Sequence, residues 1–169
     1  MRVGSTTNLR VLRRSRQQLV AGDVFRMQLP SGLFLFGRVM IARASRDQAP
    51  MPEANLLYIF KDVRSSAVPD RSSLLPSRLL IAPVWTNRIG WHEGLFETVD
   101  SYPIGPLDSL RQHCFWDAVL EEFLDEKGLP IAEKVEPCGL WGLVSYRWID
   151  DQISDALGIP RAPDDGKEN

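Results

Sequence analysis

The side chains able to do chemistry in this sequence are few and widely spaced. There are two histidines, His92 and His113, and two cysteines, Cys114 and Cys138. Neither histidine has a second His or Cys at metal-ligand spacing, and His92-Glu93 lacks the further histidine that a zinc-protease helix needs. His113 and Cys114 are adjacent, so on a strand they leave on opposite faces and do not make a nucleophile–base pair. The two cysteines form no CxxC motif and are expected as reduced, buried thiols. Gly139-Leu140-Trp141-Gly142-Leu143 lacks the lysine and following helix of a phosphate-binding loop. Asp150-Asp151 reads as the negative start of a helix rather than as an acid–base pair. No catalytic residue, metal-ligand set or cofactor is assigned, and an enzyme is disfavoured. The enzymatic alternative is a small hydrolase using Cys114 or Cys138.

Two features suit binding. Residues 1–22 carry five arginines and no acid, whereas the remainder holds 15 basic and 22 acidic side chains. The net charge of −2 thus divides into a +5 leader and a −7 body. An arginine-rich leader can neutralise phosphates, but an acidic body repels the same polyanion, and no aromatics are interleaved for base stacking. A nucleic-acid partner is therefore the alternative, and a solvated leader the plainer reading. Among the five tryptophans, Trp85, Trp116 and Trp148 lie on or beside apolar segments and read as core. Trp91, between Gly90 and Gly94 and next to His92 and Glu93, is the one expected to reach the surface, the alternative being a turn tryptophan folded back on the core. A tryptophan rimmed by charge has the composition of a binding hot spot.

The elements that must position these residues follow from periodicity. Phe25, Met27 and Leu29 alternate with polar neighbours as a half-buried strand, Leu29-Pro30-Ser31-Gly32 is a turn, and 33–42 is apolar on both faces. That pair is expected as a hairpin with a central second strand, and Gly37 marks a bulge or close backbone approach. Residues 56–61, 79–85 and 95–99 read as further strands, with Pro83 arguing for an edge or a bulge. Trp116, Val119, Leu120, Phe123 and Leu124 recur at helical spacing, with Asp117 as N-cap and Gly128 after the C-terminus. Residues 140–148 read as a strand, and a short helix capped by Asp150 or Asp151 ends at Gly158.

The expected fold class is α+β: a strongly bent antiparallel β-sheet or small partly open barrel with one or two short helices near the C-terminus. At 169 residues and 44% hydrophobic, the chain has material for one sizeable core. The expected organisation is a basic flexible leader (1–18), one globular domain (19–158) and a polar tail (159–169). No apolar run approaches the ~18 residues of a membrane span. With reduced thiols, the default home is the cytoplasm.

Gly22-Asp23-Val24-Phe25, Leu29-Pro30-Ser31-Gly32 and Phe36-Gly37-Arg38-Val39, in that order, resemble the opening of the immunity protein 26 family of bacterial polymorphic-toxin systems. Leu57-Tyr58-Ile59-Phe60, Leu80-Ile81-Ala82-Pro83 and Trp91-His92-Glu93-Gly94-Leu95-Phe96 are similar to later motifs of that family. Trp141-Gly142-Leu143, Tyr146-Arg147 and Ile149-Asp150-Asp151 resemble its C-terminal part. The loop at 43–54 is longer than in compact members. The resemblance implies a non-catalytic immunity protein that occludes a cognate toxin, and it brings no catalytic residues with it. Opposite charge speeds such encounters, so Trp91, Glu93, Glu97 and Asp100 are the expected partner-binding residues.

Overall fold

The structure, a computed structural model, describes residues 7–164. Its strands are β1 (Asp23–Gln28), β2 (Phe34–Ile41), β3 (Asn55–Ile59), β4 (Val84–Thr86), β5 (Glu97–Ser101), β6 (Cys114–Asp117), β7 (Glu122–Leu124), β8 (Cys138–Leu140) and β9 (Leu143–Val144). Two helices, α1 (Ile89–His92) and α2 (Tyr146–Leu157), complete an α+β fold. The main sheet has the order β5-β1-β2-β3-β4-β9, and a second sheet has the order β7-β6-β8. Both are mixed, because β4–β9 and β6–β8 are parallel pairs. The main sheet is open, with β5 and β9 as its edges.

The expected hairpin is present, with Val24 opposite Arg38 and Gln28 opposite Phe34. Gly37 faces Phe25, and a Cβ there would lie 2.2 Å from the Phe25 ring, so glycine is what lets the ring cross its partner strand. The main sheet is apolar on both faces because it is covered on both. Phe25, Met27, Val39 and Leu57 face a core closed by Leu9, Trp91, Ile149 and Ile153. Val24, Phe36, Leu56, Tyr58 and Trp85 of β4 face a second core closed by Leu74, after the 3₁₀ turn at Arg71–Ser73, and by Phe115 of the second sheet. Hence β2 and β3 show no polar alternation.

Three expected elements differ. The helix anticipated across residues 116–126 is the β6–β7 hairpin, with Trp116 opposite Phe123 and Asp117 opposite Glu122. Asp117 caps a turn rather than a helix: its Oδ1 accepts from the Val119 and Leu120 N–H groups at 2.9 and 3.2 Å. The turn returns Phe123 and Leu124 beside Trp116 and Phe115, which mimics helical spacing in the sequence. Of the strand expected at 79–85, only the end is realised, as β4, after a 3₁₀ turn at Pro76–Arg78. The strand expected at 140–148 is divided between β8, β9 and the start of α2. Ser145 is the N-cap of α2, its hydroxyl accepting from Trp148 N–H at 3.1 Å. The helix ends at Gly158, as its left-handed φ of 69° permits.

Candidate partner-binding surface

The four residues expected to meet a partner do not share one exposed surface. Trp91 lies on α1 and is 2% exposed. Its ring packs edge-on against Phe25 and Phe96 at 5.0 and 5.1 Å, and its Nε1–H donates to Thr98 Oγ1 at 3.0 Å. Gly90 supplies the room, since a Cβ there would meet the Phe96 ring at 2.5 Å. Trp91 is thus a core residue with its one polar atom satisfied. Glu93 is exposed. Glu97 pairs with Arg26 at 2.8 Å, and Asp100 accepts two bonds of 2.8 Å from Arg71. The Arg71 guanidinium holds the Asp100 carboxyl below its usual range. Both acids of β5 are therefore met by arginines of the same chain.

The basic segment expected as a flexible leader forms a strap from Thr7 onward, while residues 1–6 lie outside the described residues. Leu9 and Leu19 are its apolar anchors, at 1% and 3% exposure. Asp150, on α2, accepts from the Asn8 and Leu9 backbone N–H groups at 2.9 and 2.8 Å. Burial nevertheless holds the Asp150 carboxyl above its usual pKa. Arg10, Leu12 and Ser15 donate backbone N–H groups to the carbonyls of Gln28, Gly94 and Trp91 at 2.9, 2.8 and 3.0 Å. The strap passes so near Gly94 that a Cβ there would stand 3.1 Å from its backbone. Arg10, Arg13, Arg14 and Arg16 project from it as exposed residues.

The polar groups of greatest chemical interest are engaged inside the fold. Arg38 is 1% exposed; its Nη2 donates to the Tyr102 and Pro103 carbonyls at 2.8 and 3.1 Å, and its Nη1 lies 3.1 Å from Asp108. The guanidinium also sits 3.8 Å from the centre of the Tyr102 ring. Arg38 thereby fastens the 102–108 loop to β2. Behind it runs a directed chain: Leu110 N–H donates to Tyr58 Oη at 3.0 Å, which meets His113 Nε2 at 2.6 Å. His113 Nδ1 in turn meets Glu126 at 3.2 Å. With Tyr58 Oη donating to Nε2, the imidazole is neutral with Nδ1–H toward Glu126, the form that burial favours. Burial pushes the His113 pKa down and that of Tyr58 up to about 12.

Cys114 and Cys138, distant in sequence, are register partners on the parallel strands β6 and β8, with their sulfurs 2.8 Å apart. Both are free thiols. Burial, and then the contact with Cys114, push the Cys138 thiol up to about 12, which keeps it protonated and a poor nucleophile at neutral pH. Among the described residues, no group of three or more His, Cys, Asp or Glu is placed to hold a metal ion. No helix among them is long and apolar enough to cross a membrane.

The second sheet exposes side chains that sequence periodicity assigned to a core. Phe115 and Leu124 point inward and are buried, whereas Trp116 and Phe123 are only half-buried. The hairpin tip carries Val119 and Leu120 at 89% and 61% exposure. The signal that would have found this face is the aromatic pair Phe115-Trp116 followed by a turn-forming aspartate, read with a period of two instead of 3.6.

A family model described as immunity protein 26 matches residues 20–119, which run from β1 through β6. No curated protein matches the chain, and neither does any solved structure.

Proposed function

Because the chain belongs to the immunity protein 26 family, we propose that it binds a cognate toxin domain of a bacterial polymorphic-toxin system and neutralises it by occlusion, without catalysis of its own. The family match carries this reading. It is supported by how the chemically able groups are used: His113 is held neutral between Tyr58 and Glu126, Cys138 is held protonated, and Arg38 is buried as a loop anchor. The acidic body favours a basic toxin, since opposite charge accelerates encounter by about 10–10³-fold. The cytoplasm is the compartment of action that suits two reduced thiols.

The test is co-expression with the toxin domain encoded beside this gene. Cells should survive when the chain is present and die when it is absent, and the two purified proteins should form a complex that shuts out the toxin's substrate. Failure of both rescue and complex formation would overturn the reading.

A further inference from the structure

Among the described residues the outer face of the second sheet is only partly covered: Cys114 on that face is buried, its sulfur accepting from Val135 N–H at 3.5 Å, whereas Trp116 two residues on is half-buried. Trp116 is the register partner of both Phe123 on β7 and Leu140 on β8, so the three lie side by side across the sheet. The Trp116 and Phe123 rings stand 4.9 Å apart, and Leu140 is 45% exposed. With Gly139 and Lys134 they line a shallow depression of about 360 Å³. Next to it, the hairpin tip projects Val119 and Leu120, and Val119 is the most exposed of the large hydrophobic residues among those described. This tip is pre-set rather than loose. Asp117, itself buried, holds both of their N–H groups, and Glu121 completes the turn with a left-handed φ of 53°. Ordering the tip in advance lowers the entropy lost when something docks on it.

The charge around this face chooses its occupant. Residues 117–136 contain seven carboxylates and two lysines, a net of −5 in a chain whose total is −2. Lys134 is engaged by Glu136 at 3.0 Å, and Glu126 faces His113. Glu121, Glu122 and Glu133 remain exposed outside those pairs. An aromatic centre within an acidic rim suits a partner with apolar side chains set among lysines and arginines. The family match also stops at residue 119, so β7, β8 and most of the tip belong to the part of the chain beyond it.

We propose that the face formed by Trp116, Phe123 and Leu140, with the Val119–Leu120 tip, is the docking surface for a basic protein domain, the toxin of the function proposed above. This assignment rests on that reading and places its contact surface away from α1 and β5. The partner's hydrophobic residues enter the depression and enclose the tip, while its cations meet the glutamate rim.

The experiment uses the full chain and the toxin domain from the co-expression assay. Val119→Asp with Leu120→Asp changes only exposed side chains, and an unchanged melting temperature certifies the fold. This variant should weaken the complex at least about 30-fold, as loss of a hot spot does, and should lose rescue. Glu121→Lys with Glu122→Lys should slow association about tenfold at low salt, with the difference shrinking at high salt. Glu93→Lys, beside the strap, should leave affinity within about twofold. If wild type rescues and the tip variant binds equally well, the surface is wrong while the function stands. A loss confined to Glu93→Lys moves the interface to the α1 side and overturns the proposal. If the tip variant instead converts a wild-type dimer to a monomer and leaves toxin binding intact, the face joins copies of this chain and the proposal fails. If wild type neither rescues nor binds, the function falls and the assignment falls with it.

Discussion

Asp150→Ala is expected to release the N-terminal strap, at a cost that follows from two hydrogen bonds. In the folded chain the carboxylate is 1% exposed and accepts from Asn8 N–H at 2.9 Å and Leu9 N–H at 2.8 Å. A hydrogen bond to a charged group contributes about 1.5–3 kcal/mol, so the pair sets a ceiling near ~6 kcal/mol. Against this stands the cost of keeping a carboxylate in a buried site, the effect that raises its pKa. Water can reach Asn8, which is half-buried, but not the buried Leu9, so one amide is left without a partner. The net expected loss is about 2–4 kcal/mol, with Asp150→Asn intermediate because it keeps one acceptor. Urea unfolding measures the loss, and amide exchange at Leu9 and Leu12 shows whether the strap is what opens. Asp151→Ala is the control: its 3.8 Å ion pair is with the exposed Arg161 and is screened by solvent, so its removal should leave stability and Leu9 exchange nearly unchanged. A loss below about 0.5 kcal/mol for Asp150→Ala, with Leu9 exchange unaltered, would refute the reasoning.

Two further outcomes concern His113 and Cys138. His113 has a folded pKa below its ordinary 6.5, so the unfolded chain binds the proton more readily. Its contribution is therefore fully present above pH 6.5 and declines as the pH falls from there toward the depressed folded value, with a slope of at most about 1.4 kcal/mol per pH unit. His113→Gln should flatten that part of a stability–pH curve, and an equal slope in both proteins would exclude His113 as its source. Cys138, with its thiol pushed up to about 12, should react with iodoacetamide at pH 8 far more slowly than free cysteine. Fast labelling of Cys138 in the folded chain would reopen the hydrolase alternative.

What was legible in the sequence was local. Alternation around Phe25, the Pro30–Gly32 turn, the two-faced apolar run of β2 and the Gly158 stop each depend on a few neighbouring residues and reappear in the structure. The hairpin at β6–β7 was not legible, because a four-residue turn between short strands repeats the spacing of a helix. Only its pairing with β8, some twenty residues further on, settles the conformation. Trp91 illustrates the same limit: flanking glycines suggest an exposed turn, yet here Gly90 makes room for Phe96 against a buried indole.

The sequence by itself determined the α+β class, the scarcity of catalytic groups, the uneven charge and the resemblance that the family match supports. These are properties of composition, short-range period and ordered motifs, which need no knowledge of distant contacts. Tertiary structure alone decided that the arginine-rich segment is a strap from Thr7, that the acids of β5 are met by the chain's own arginines, and that Trp116, Phe123 and Leu140 line up across the second sheet. The physical reason is that exposure and charge neutralisation are set by which side chains meet after folding. Leu9 and Asp150, 141 positions apart, touch only then.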